Sequence, residues 1–397
     1  MNIATTIAEP TREQLVARAA EMFPRLRERA ATCEADNKVA DATIAEFQEA
    51  GFFKILQPRR YGGYEMDVET FYDVQMKVAE GCMSSAWVLG VVAVHNWQLA
   101  LFAPEAQDDV WAKDPTTLIS SSYMPKAQVT PVDGGYRISG RWGFSSGVDH
   151  CEWAFLGGLV PDPETGVPDF WTFLVPREDF IIHHCWNTIG LAGTGSHDVE
   201  VKDAFVPAHR THRSKDGFAA TNPGAKSNPG WLYKLPFGQV FVRAVSSSSI
   251  GALQGALDFF IENGAKRKSN NSGASSASDP DVLVLIAEVQ AAIDEMKCVL
   301  MRNFAVLNEF ARAGQQADID TRLRFRFQSA QIAGRCGELI TRMYHLGGAD
   351  GISRGNVIAR TFCDIHTGRT HVANNPNAVG RNIGNVVLGG PNADSFI

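Results

Sequence analysis

Features of a membrane or secreted protein are missing from this sequence of 397 residues. It contains no apolar run of about 18 residues, the length that crosses a bilayer. Its first residues lack a charged segment followed by an apolar core, so no secretory leader is predicted. The seven cysteines include no CxxC pair and are odd in number, which favours reduced thiols. We therefore expect a cytoplasmic protein without a membrane partner.

The sequence is also poor in positive charge and in the glycine patterns that bind nucleotides. Asp and Glu outnumber Lys and Arg, and the net charge of −7 argues against nucleic acid as a partner. Gly193-Thr-Gly195 has no third glycine and precedes no predicted helix, which excludes a dinucleotide fingerprint. No Lys follows the glycines between Gly190 and Ser196, which excludes a P-loop.

Metal-ligand side chains are too scattered to predict a metal centre. Asp364, His366 and His371 lie close together in sequence, but no second cluster of ligands matches them. Asp149 and His150 are neighbours and are interpreted as a salt pair in a turn. We therefore predict no bound metal.

The length predicts two or three domains. Helical periodicity predicts an N-terminal helical domain over residues 1–115. Short apolar runs between Gly, Pro and Asp turns predict a β-barrel or β-sandwich domain over 116–213. Residues 214–236 are polar and rich in Gly and Pro and are predicted to be a linker loop. Long amphipathic helices over 237–397 predict a four-helix bundle and tail. The fold class is therefore α+β, mainly α.

Helix signals define the longer elements. Thr11-x-x-Gln14 resembles a capping box, which opens a helix that runs to about Cys33, with a kink site at Pro24. Residues 84–102 are strongly apolar and predict a buried helix, and residues 239–262 are predicted to form one continuous helix.

Residues 140–158, GRWGFSSGVDHCEWAFLGG, combine small residues, hydroxyls and two tryptophans between strand-like segments. The glycines before this stretch predict a hairpin turn, and an apolar run follows it. The hydroxyl pair Ser145-Ser146 therefore lies where a strand bends, and Gly147 allows a close approach of the backbone to a ligand. Taken alone, the stretch fits either a bulged strand or a ligand-binding wall.

The whole chain resembles the acyl-CoA dehydrogenase superfamily. Residues 49–63, with EAGFFKILQP and then YGG, are similar to its first helical hairpin, and residues 190–207 are similar to its closing β-strand. Leu346-Gly-Gly348 is similar to the loop that meets the flavin of a neighbouring subunit. Residues 142–158 resemble the flavin-dependent monooxygenase branch, which includes the oxygenase components of 4-hydroxyphenylacetate 3-hydroxylase and the secosteroid-phenol 4-hydroxylase. The resemblance implies a homotetramer.

A dehydrogenase of that superfamily needs a carboxylate to remove the α-proton of an acyl thioester, and this sequence lacks one at either family position. Between Ile365 and Ala393 there is no Asp or Glu, and between Asp216 and Glu262 the sole acid is Asp258. The C-terminal position has His371 instead. A histidine titrates near neutral pH and suits the removal of a phenolic proton.

The resemblance implies a set of site residues. The catalytic candidates are His371, as a base or peroxide partner, and Ser146, which would hydrogen-bond the substrate hydroxyl or the flavin. His95, on the buried helix, fits either a core histidine or a second base, while His371 itself fits either the base or a histidine in a surface loop. The implied flavin contacts are Trp87, Ser121, Ser122, Tyr123, Phe144, Ser145, Ser146, Thr172, Arg267, Ala349, Asp350, His371 and Val372. Thr172 stands where the superfamily has a contact to flavin N5, and Arg267 would reach the flavin phosphate across a subunit interface.

The resemblance also implies the reaction and the partners. Reduced FMN or FAD (FMNH2 or FADH2) would react with O2 through a C4a-hydroperoxyflavin and hydroxylate a phenolic or indole-like aromatic substrate. A separate NAD(P)H-dependent flavin reductase would supply the reduced flavin, because no dinucleotide fingerprint is present. Two alternatives remain open: an acyl-CoA dehydrogenase-type flavoprotein with a displaced base, and a sulfur or nitrogen monooxygenase on the same fold. A scaffold of this fold without catalytic activity is a further alternative.

Overall fold

The computed structural model describes residues 9–162, 166–264, 275–353, 355–394 and 396–397. The first helices are α1 (Arg12–Glu21), α2 (Phe23–Asp36), α3 (Asp41–Glu49), α4 (Val68–Gly81), α5 (Met83–Leu99) and α6 (Pro104–Trp111). The strands are β1 (Ile119–Val132), β2 (Gly135–Ser145), β3 (Trp153–Pro161), β4 (Pro168–Pro176), β5 (Phe180–His183), β6 (His197–Pro207) and β7 (Thr211–Arg213). The later helices are α7 (Ser214–Ala219), α8 (Phe237–Ala244), α9 (Ser247–Gly264), α10 (Pro280–Arg312), α11 (Ile319–Leu346), α12 (Val357–Arg369) and α13 (Pro376–Val387). The order helices, sheet, helices is the predicted one.

The described strands form a seven-stranded sheet in the order β5-β6-β2-β1-β3-β4-β7. β1 belongs to both halves of it. Residues 119–122 pair in parallel with β3, and residues 128–132 pair antiparallel with β2. A register shift between Ser122 and Ala127 separates the two pairings. Such a shift bends a strand, so the sheet is bent at β1. The sheet has a separate apolar core, which includes Trp142 and Phe173.

Helix α5 lies inside the molecule. It is apolar on all sides, and all of its 17 residues are buried, as expected for a helix enclosed by other elements. The C-terminal end of α5 contacts the sheet through a cluster of buried side chains that includes Leu99, Phe102 and Phe155. The side chains of α5 therefore reach the boundary between the helices and the sheet. Among the described residues, no helix is both long and apolar enough to cross a membrane.

Two predicted single helices are each divided in the structure. The predicted helix from Thr11 to Cys33 is α1 followed by α2, and Pro24 lies in the first turn of α2, where its missing N–H costs nothing. The predicted helix over 239–262 is α8 followed by α9. The side-chain amide of Asn374 donates to the Val245 carbonyl at 2.9 Å, and this tertiary contact replaces a helical hydrogen bond at the break.

The predicted linker over 214–236 is not a loose surface loop. It begins with α7, and the side chains of Leu232 and Tyr233 are buried. The Asn228 amide donates to the Ala100 carbonyl at 2.9 Å. The polar composition of the segment therefore serves hydrogen bonds to buried carbonyls. Helix α13 was not predicted, and Asn375 caps its first turn.

Candidate active site

The predicted hydroxyl stretch ends β2 in a bulge. The register between β2 and β6 shifts between Trp142 and Ser145, and Phe144 has a φ of +64°. A left-handed conformation is strained for an aromatic residue. The Phe144 ring is 65% exposed, with the Trp186 ring edge-on at a centroid distance of 5.8 Å. The bulge therefore presents an aromatic side chain outward at an energetic cost.

Beyond the bulge, the chain turns back against α5. Gly147 has a φ of +69°, and a Cβ there would lie 2.7 Å from Cγ1 of Val88. The close approach predicted for Gly147 is thus to a helix of the same chain. It brings Ser146 to Trp87, whose indole N–H donates to the Ser146 hydroxyl at 3.3 Å.

Ser146 also belongs to a row of hydroxyls. Its Oγ lies 2.7 Å from Oγ of Ser196, and Ser196 Oγ lies 2.7 Å from Oγ1 of Thr194. Thr194 Oγ1 donates to the Leu191 carbonyl at 2.8 Å. The hydroxyl of neighbouring Ser145 is buried and has no hydrogen-bond partner among the described residues. A buried polar group of that kind calls for a bound molecule or water.

His371 lies on the other side of Trp87. Their ring centroids are 5.8 Å apart, edge to face. The backbone N–H of Ala373 donates to Nδ1 of His371 at 3.1 Å, so Nε2 has the proton in the neutral ring. Burial, and then the positive charge of Arg326, lower the pKa of His371 to about 4. Val372 beside it is highly exposed.

His95 is enclosed by aromatic rings. Phe155, Tyr123 and Phe241 have ring centroids 5.6, 6.2 and 6.5 Å from its own. Nδ1 of His95 lies 2.6 Å from the Ile119 carbonyl oxygen, so Nδ1 has the proton and Nε2 has a free lone pair. None of the described residues offers a hydrogen bond to that buried Nε2. Burial lowers the pKa of His95 to about 4, which keeps the ring neutral.

The remaining predicted residues of the sheet, Ser121, Ser122, Tyr123 and Thr172, belong to β1 and β4. The Ser122 hydroxyl donates to the Gly143 carbonyl at 2.7 Å, which joins β1 to the bulged end of β2. The Tyr123 hydroxyl donates to the side-chain oxygen of Gln98. Ser121, which is buried, precedes them on β1. Thr172 lines a small cavity together with Gln98 and Phe237.

Two predicted flavin contacts, Ala349 and Asp350, are not brought to this site within one chain. Arg267 lies outside the described residues. Ala349 and Asp350 begin a short 3-10 helix after α11. Arg326 of α11 donates to the Ala373 carbonyl beside His371 at 2.8 Å, and Leu346 is 20 residues further along the helix, or about 30 Å. Ala349 and Asp350 therefore lie far from Ser146 of their own chain.

The side chains of Asp364, His366 and His371 do not come together as a set of metal ligands. Asp364 accepts from the Leu191 N–H at 2.6 Å, and His366 pairs with the Thr341 hydroxyl. A different group, Asp149, His184 and His197, has ligand atoms within 4.8 Å of one another. However, the backbone N–H of Trp186 donates to Nδ1 of His197 at 3.2 Å. In the neutral ring of His197, Nε2 therefore has the proton. This tautomer suits an Asp–His hydrogen bond and not a metal ligand.

The acids of the site region do not supply a dehydrogenase base. Asp258 is exposed on α9 and accepts from Gln254 at 2.8 Å. Asp364 is buried, and burial raises its pKa to about 7. Its carboxylate accepts a hydrogen bond from the Leu191 backbone N–H. It makes no hydrogen bond with Ser146 itself and is connected to it by successive hydrogen bonds of Leu191, Thr194 and Ser196. His95 and His371 are therefore the titratable groups next to the site. His95 lies within an aromatic box formed by Phe155, Tyr123 and Phe241, and His371 lies beside the wall formed by Phe144, Ser145, Ser146 and Trp87.

Sequence reasoning missed several residues that complete the site. Thr194 and Ser196 were noted as part of a glycine-rich motif, without a role. Phe241 and Gln98 were not singled out. The signal that could have found the first two is the pair of hydroxyls within Gly193-Thr-Gly-Ser196, because Ser and Thr hydroxyls in turns hydrogen-bond nearby backbone groups.

Comparison with known proteins gives consistent relatives over the whole chain. Family models for the N-terminal and C-terminal domains of acyl-CoA dehydrogenase match residues 9–116 and 244–376. The flavin-dependent monooxygenase oxygenase subunit HsaA of Rhodococcus jostii (strain RHA1) is 39% identical over 95% of this chain and 98% of its own length. The oxygenase component of FADH(2)-dependent resorcinol hydroxylase from Rhizobium sp. (strain MTP-10005) is 30% identical over 95% of this chain and 94% of its own length.

The fold comparison agrees. The crystal structure of 3-HSA hydroxylase from Rhodococcus sp. RHA1 matches with a TM-score of 0.92 at 38% identity, over 97% of this chain and 99% of that one. Identity at this level over nearly complete chains shows the family. The chain belongs to the flavin-dependent monooxygenases of the acyl-CoA dehydrogenase fold, enzymes that use reduced flavin and O2.

Proposed function

We propose that this chain hydroxylates a phenolic aromatic ring, as the oxygenase component of a two-component system. One oxygen atom of O2 would enter the ring as a hydroxyl group, and the other would leave as water. An indole-like ring, whose N–H can make the same hydrogen bond, is a second candidate substrate. The observation that carries the proposal is the free Nε2 of His95, enclosed by aromatic side chains.

The surroundings of His95 match the chemistry of a phenol. A phenolic ring can pack against the edges and faces of Phe155, Tyr123 and Phe241. Its hydroxyl would then donate to Nε2, a buried acceptor without a partner among the described residues. Because burial lowers the pKa of His95 to about 4, the lone pair is present at neutral pH. The hydrogen bond increases electron density on the ring carbons, which favours attack on an electrophilic oxygen.

The wall around Ser146 fits a flavin. The unpartnered Ser145 hydroxyl, the exposed Phe144 ring and Trp87 offer polar and aromatic contacts to an isoalloxazine. Reduced flavin would supply the electrons that activate O2. His371 would contribute as a donor, because its Nε2 has the proton. This differs from the predicted base, and we assign the proton-accepting role to His95 instead.

Two partners follow as part of the proposal. A separate flavin reductase would provide reduced flavin, which agrees with relatives named as oxygenase subunits or components. A homotetramer is supported by apolar side chains that a single chain leaves exposed, among them Ile352, Val372, Val387 and Leu388. It would also let the Ala349 region of one subunit approach the flavin of another. All seven cysteines are free thiols, which is consistent with the cytoplasm.

The test is a product assay with an unrelated flavin reductase as the source of FMNH2 or FADH2. We expect a phenol panel to give products that contain one atom from isotopically labelled O2. A matched panel of methyl ethers, which cannot donate to His95, should give little product. Hydroxylation of the ethers at the rate of the phenols would contradict the proposal.

The main alternative is an acyl-CoA dehydrogenase with a displaced base. The exposed position of Asp258 and the hydrogen-bonded Asp364 speak against it. Anaerobic bleaching of bound oxidised flavin by an acyl-CoA would establish that alternative. Oxidation of an organic sulfide in place of any phenol would support a sulfur monooxygenase.

A further inference from the structure

The row of hydroxyls that ends at Ser146 has a defined direction. Thr194 has one hydroxyl proton and two oxygen neighbours, the Leu191 carbonyl at 2.8 Å and Ser196 Oγ at 2.7 Å. A carbonyl accepts and cannot donate. If Thr194 donated to Ser196, two oxygen lone pairs would face each other at 2.8 Å. Thr194 therefore donates to Leu191, and its own oxygen accepts from Ser196.

The same reasoning continues to Ser146. The proton of Ser196 is used on Thr194, so the contact of 2.7 Å between Ser146 and Ser196 requires Ser146 to donate. Ser146 then accepts from the indole N–H of Trp87 at 3.3 Å. A hydroxyl has one proton and two lone pairs. What remains for a ligand is one lone pair, so Ser146 can accept one further hydrogen bond and cannot donate.

Burial and anchoring prevent the row from reversing. Ser146, Ser196 and Thr194 are 8%, 4% and 1% exposed, so bulk water does not compete for their protons. The turn that holds Thr194 is fixed at both ends. Leu191 donates its N–H to Asp364 at 2.6 Å, and the Thr194 carbonyl accepts from the Gly147 N–H at 2.9 Å. The Leu191 carbonyl also accepts from the Thr194 backbone N–H at 3.1 Å and from the Trp186 indole N–H at 3.0 Å. Reversal would therefore leave that carbonyl paired, but it would turn a Thr194 hydroxyl lone pair towards the carbonyl oxygen at 2.8 Å, which is unfavourable.

We propose that Thr194 and Ser196 are positioning residues that make Ser146 an acceptor and thereby favour reduced over oxidised flavin. Reduced isoalloxazine has an N–H at N5, whereas oxidised isoalloxazine has a lone pair there. An acceptor hydroxyl at this edge forms a hydrogen bond with the reduced ring and faces a lone pair of the oxidised ring. The inference rests on the proposed function, because it takes Ser146, and not Thr172 as the resemblance implies, to face N5 of the flavin.

Removing Ser196 tests the direction of the row. In Ser196→Ala, the Ser146 proton is released and can be donated to N5 of oxidised flavin. We expect the ratio of the dissociation constants for oxidised and reduced flavin to fall by roughly three- to tenfold, the effect of about one hydrogen bond. The constants are measured anaerobically by flavin absorbance and fluorescence. The midpoint potential of the bound flavin should decrease accordingly.

Two further variants keep the test decisive. Thr194→Val removes the group that orients Ser196 and should lower the same ratio, whereas Thr194→Ser keeps the hydroxyl and should leave it unchanged. Equal changes in both constants, or a lowered ratio in Thr194→Ser, would overturn the proposal. The melting temperature of each variant checks that it is folded. If the unmodified protein bound neither redox state, the proposed function itself would fail, which is a distinct outcome.

Discussion

His95 and His371 are fixed in opposite neutral tautomers. Nδ1 of His95 faces the Ile119 carbonyl at 2.6 Å, whereas Nδ1 of His371 faces the Ala373 N–H at 3.1 Å. Nε2 is therefore an acceptor in the first ring and a donor in the second. Two residues of one type divide the acceptor and donor roles because the backbone presents a different group to each.

The first prediction concerns hydroxylation. His95→Ala removes the acceptor for the phenolic hydroxyl, and we expect product formation to fall by about a hundredfold, the lower range for a positioned acid or base. Oxidation of reduced flavin by O2 should continue and release hydrogen peroxide. His366→Ala, at a histidine that pairs with Thr341, is the matched control. Equal product yields from the two variants would contradict the role of His95.

The second prediction concerns acid stability. Burial lowers the pKa of His95 from 6.5 to about 4, so the unfolded chain binds the proton more readily than the folded one. Its contribution to the free energy of unfolding is present above pH 6.5 and is lost as pH falls towards 4, by about 3 kcal/mol in total. Urea unfolding over this range should show a flatter pH dependence for His95→Ala. An unchanged slope would show that folding does not lower the pKa of His95.

The third prediction runs in the opposite direction with pH. Burial raises the pKa of Asp364 from 3.8 to about 7, so its contribution to stability is lost as pH rises through that interval, by about 4 kcal/mol. Asp364→Asn keeps an oxygen for the Leu191 N–H and removes the ionisation. The variant should lose less stability than the unmodified protein between acid and mildly alkaline pH. Parallel unfolding curves for both proteins would refute this expectation.

The fourth prediction separates strain from binding at Phe144. Phe144→Gly and Phe144→Ala both remove the exposed ring and should weaken flavin binding to a similar degree. Glycine, however, accepts the φ of +64° without strain. We expect the glycine variant to unfold at a free energy about 1 kcal/mol higher than the alanine variant. Equal stability of the pair in urea would show that the bulge stores no strain.

The fifth prediction concerns the outer edge of the aromatic box. The Phe396 ring lies 6.0 Å from Phe237 and 5.7 Å from Phe170, beside the cavity that contains Thr172. A Cβ on Gly238 would lie 1.9 Å from the Phe396 carbonyl oxygen. Phe396→Ala and Gly238→Ala should therefore both open this edge and lower KM for bulky phenols relative to small ones. A substrate preference that differs between the two variants would show that Phe396 does not form this edge of the pocket.

Much of the fold follows from the sequence because its signals are local. The buried helix α5 is visible as an apolar run, and Pro280 after Asp279 marks the start of α10. The break between α8 and α9 is not visible, because no Gly or Pro stands there. At the break, the Val245 carbonyl accepts from the Asn374 amide, which belongs to a residue 129 positions away.

Some features of the site can likewise be predicted from local sequence, whereas others depend on tertiary contacts. The bend at Ser145-Ser146 could be predicted from glycines and hydroxyls nearby. The roles of the two histidines could not, since each tautomer depends on one backbone group that only the folded chain supplies. The direction of the hydroxyl row likewise depends on Ser146 meeting Ser196, 50 residues further along the chain.

The contact between Leu191 and Asp364 joins residues that are 173 positions apart. The turn that orients Ser146 is held by α12, which leaves the ribosome after the strands of the sheet. During synthesis, the sheet can form before α12 exists, but the hydroxyl row then lacks its anchor. Flavin affinity should consequently arise late in biogenesis, after the C-terminal helices dock, so that partly made chains do not sequester reduced flavin.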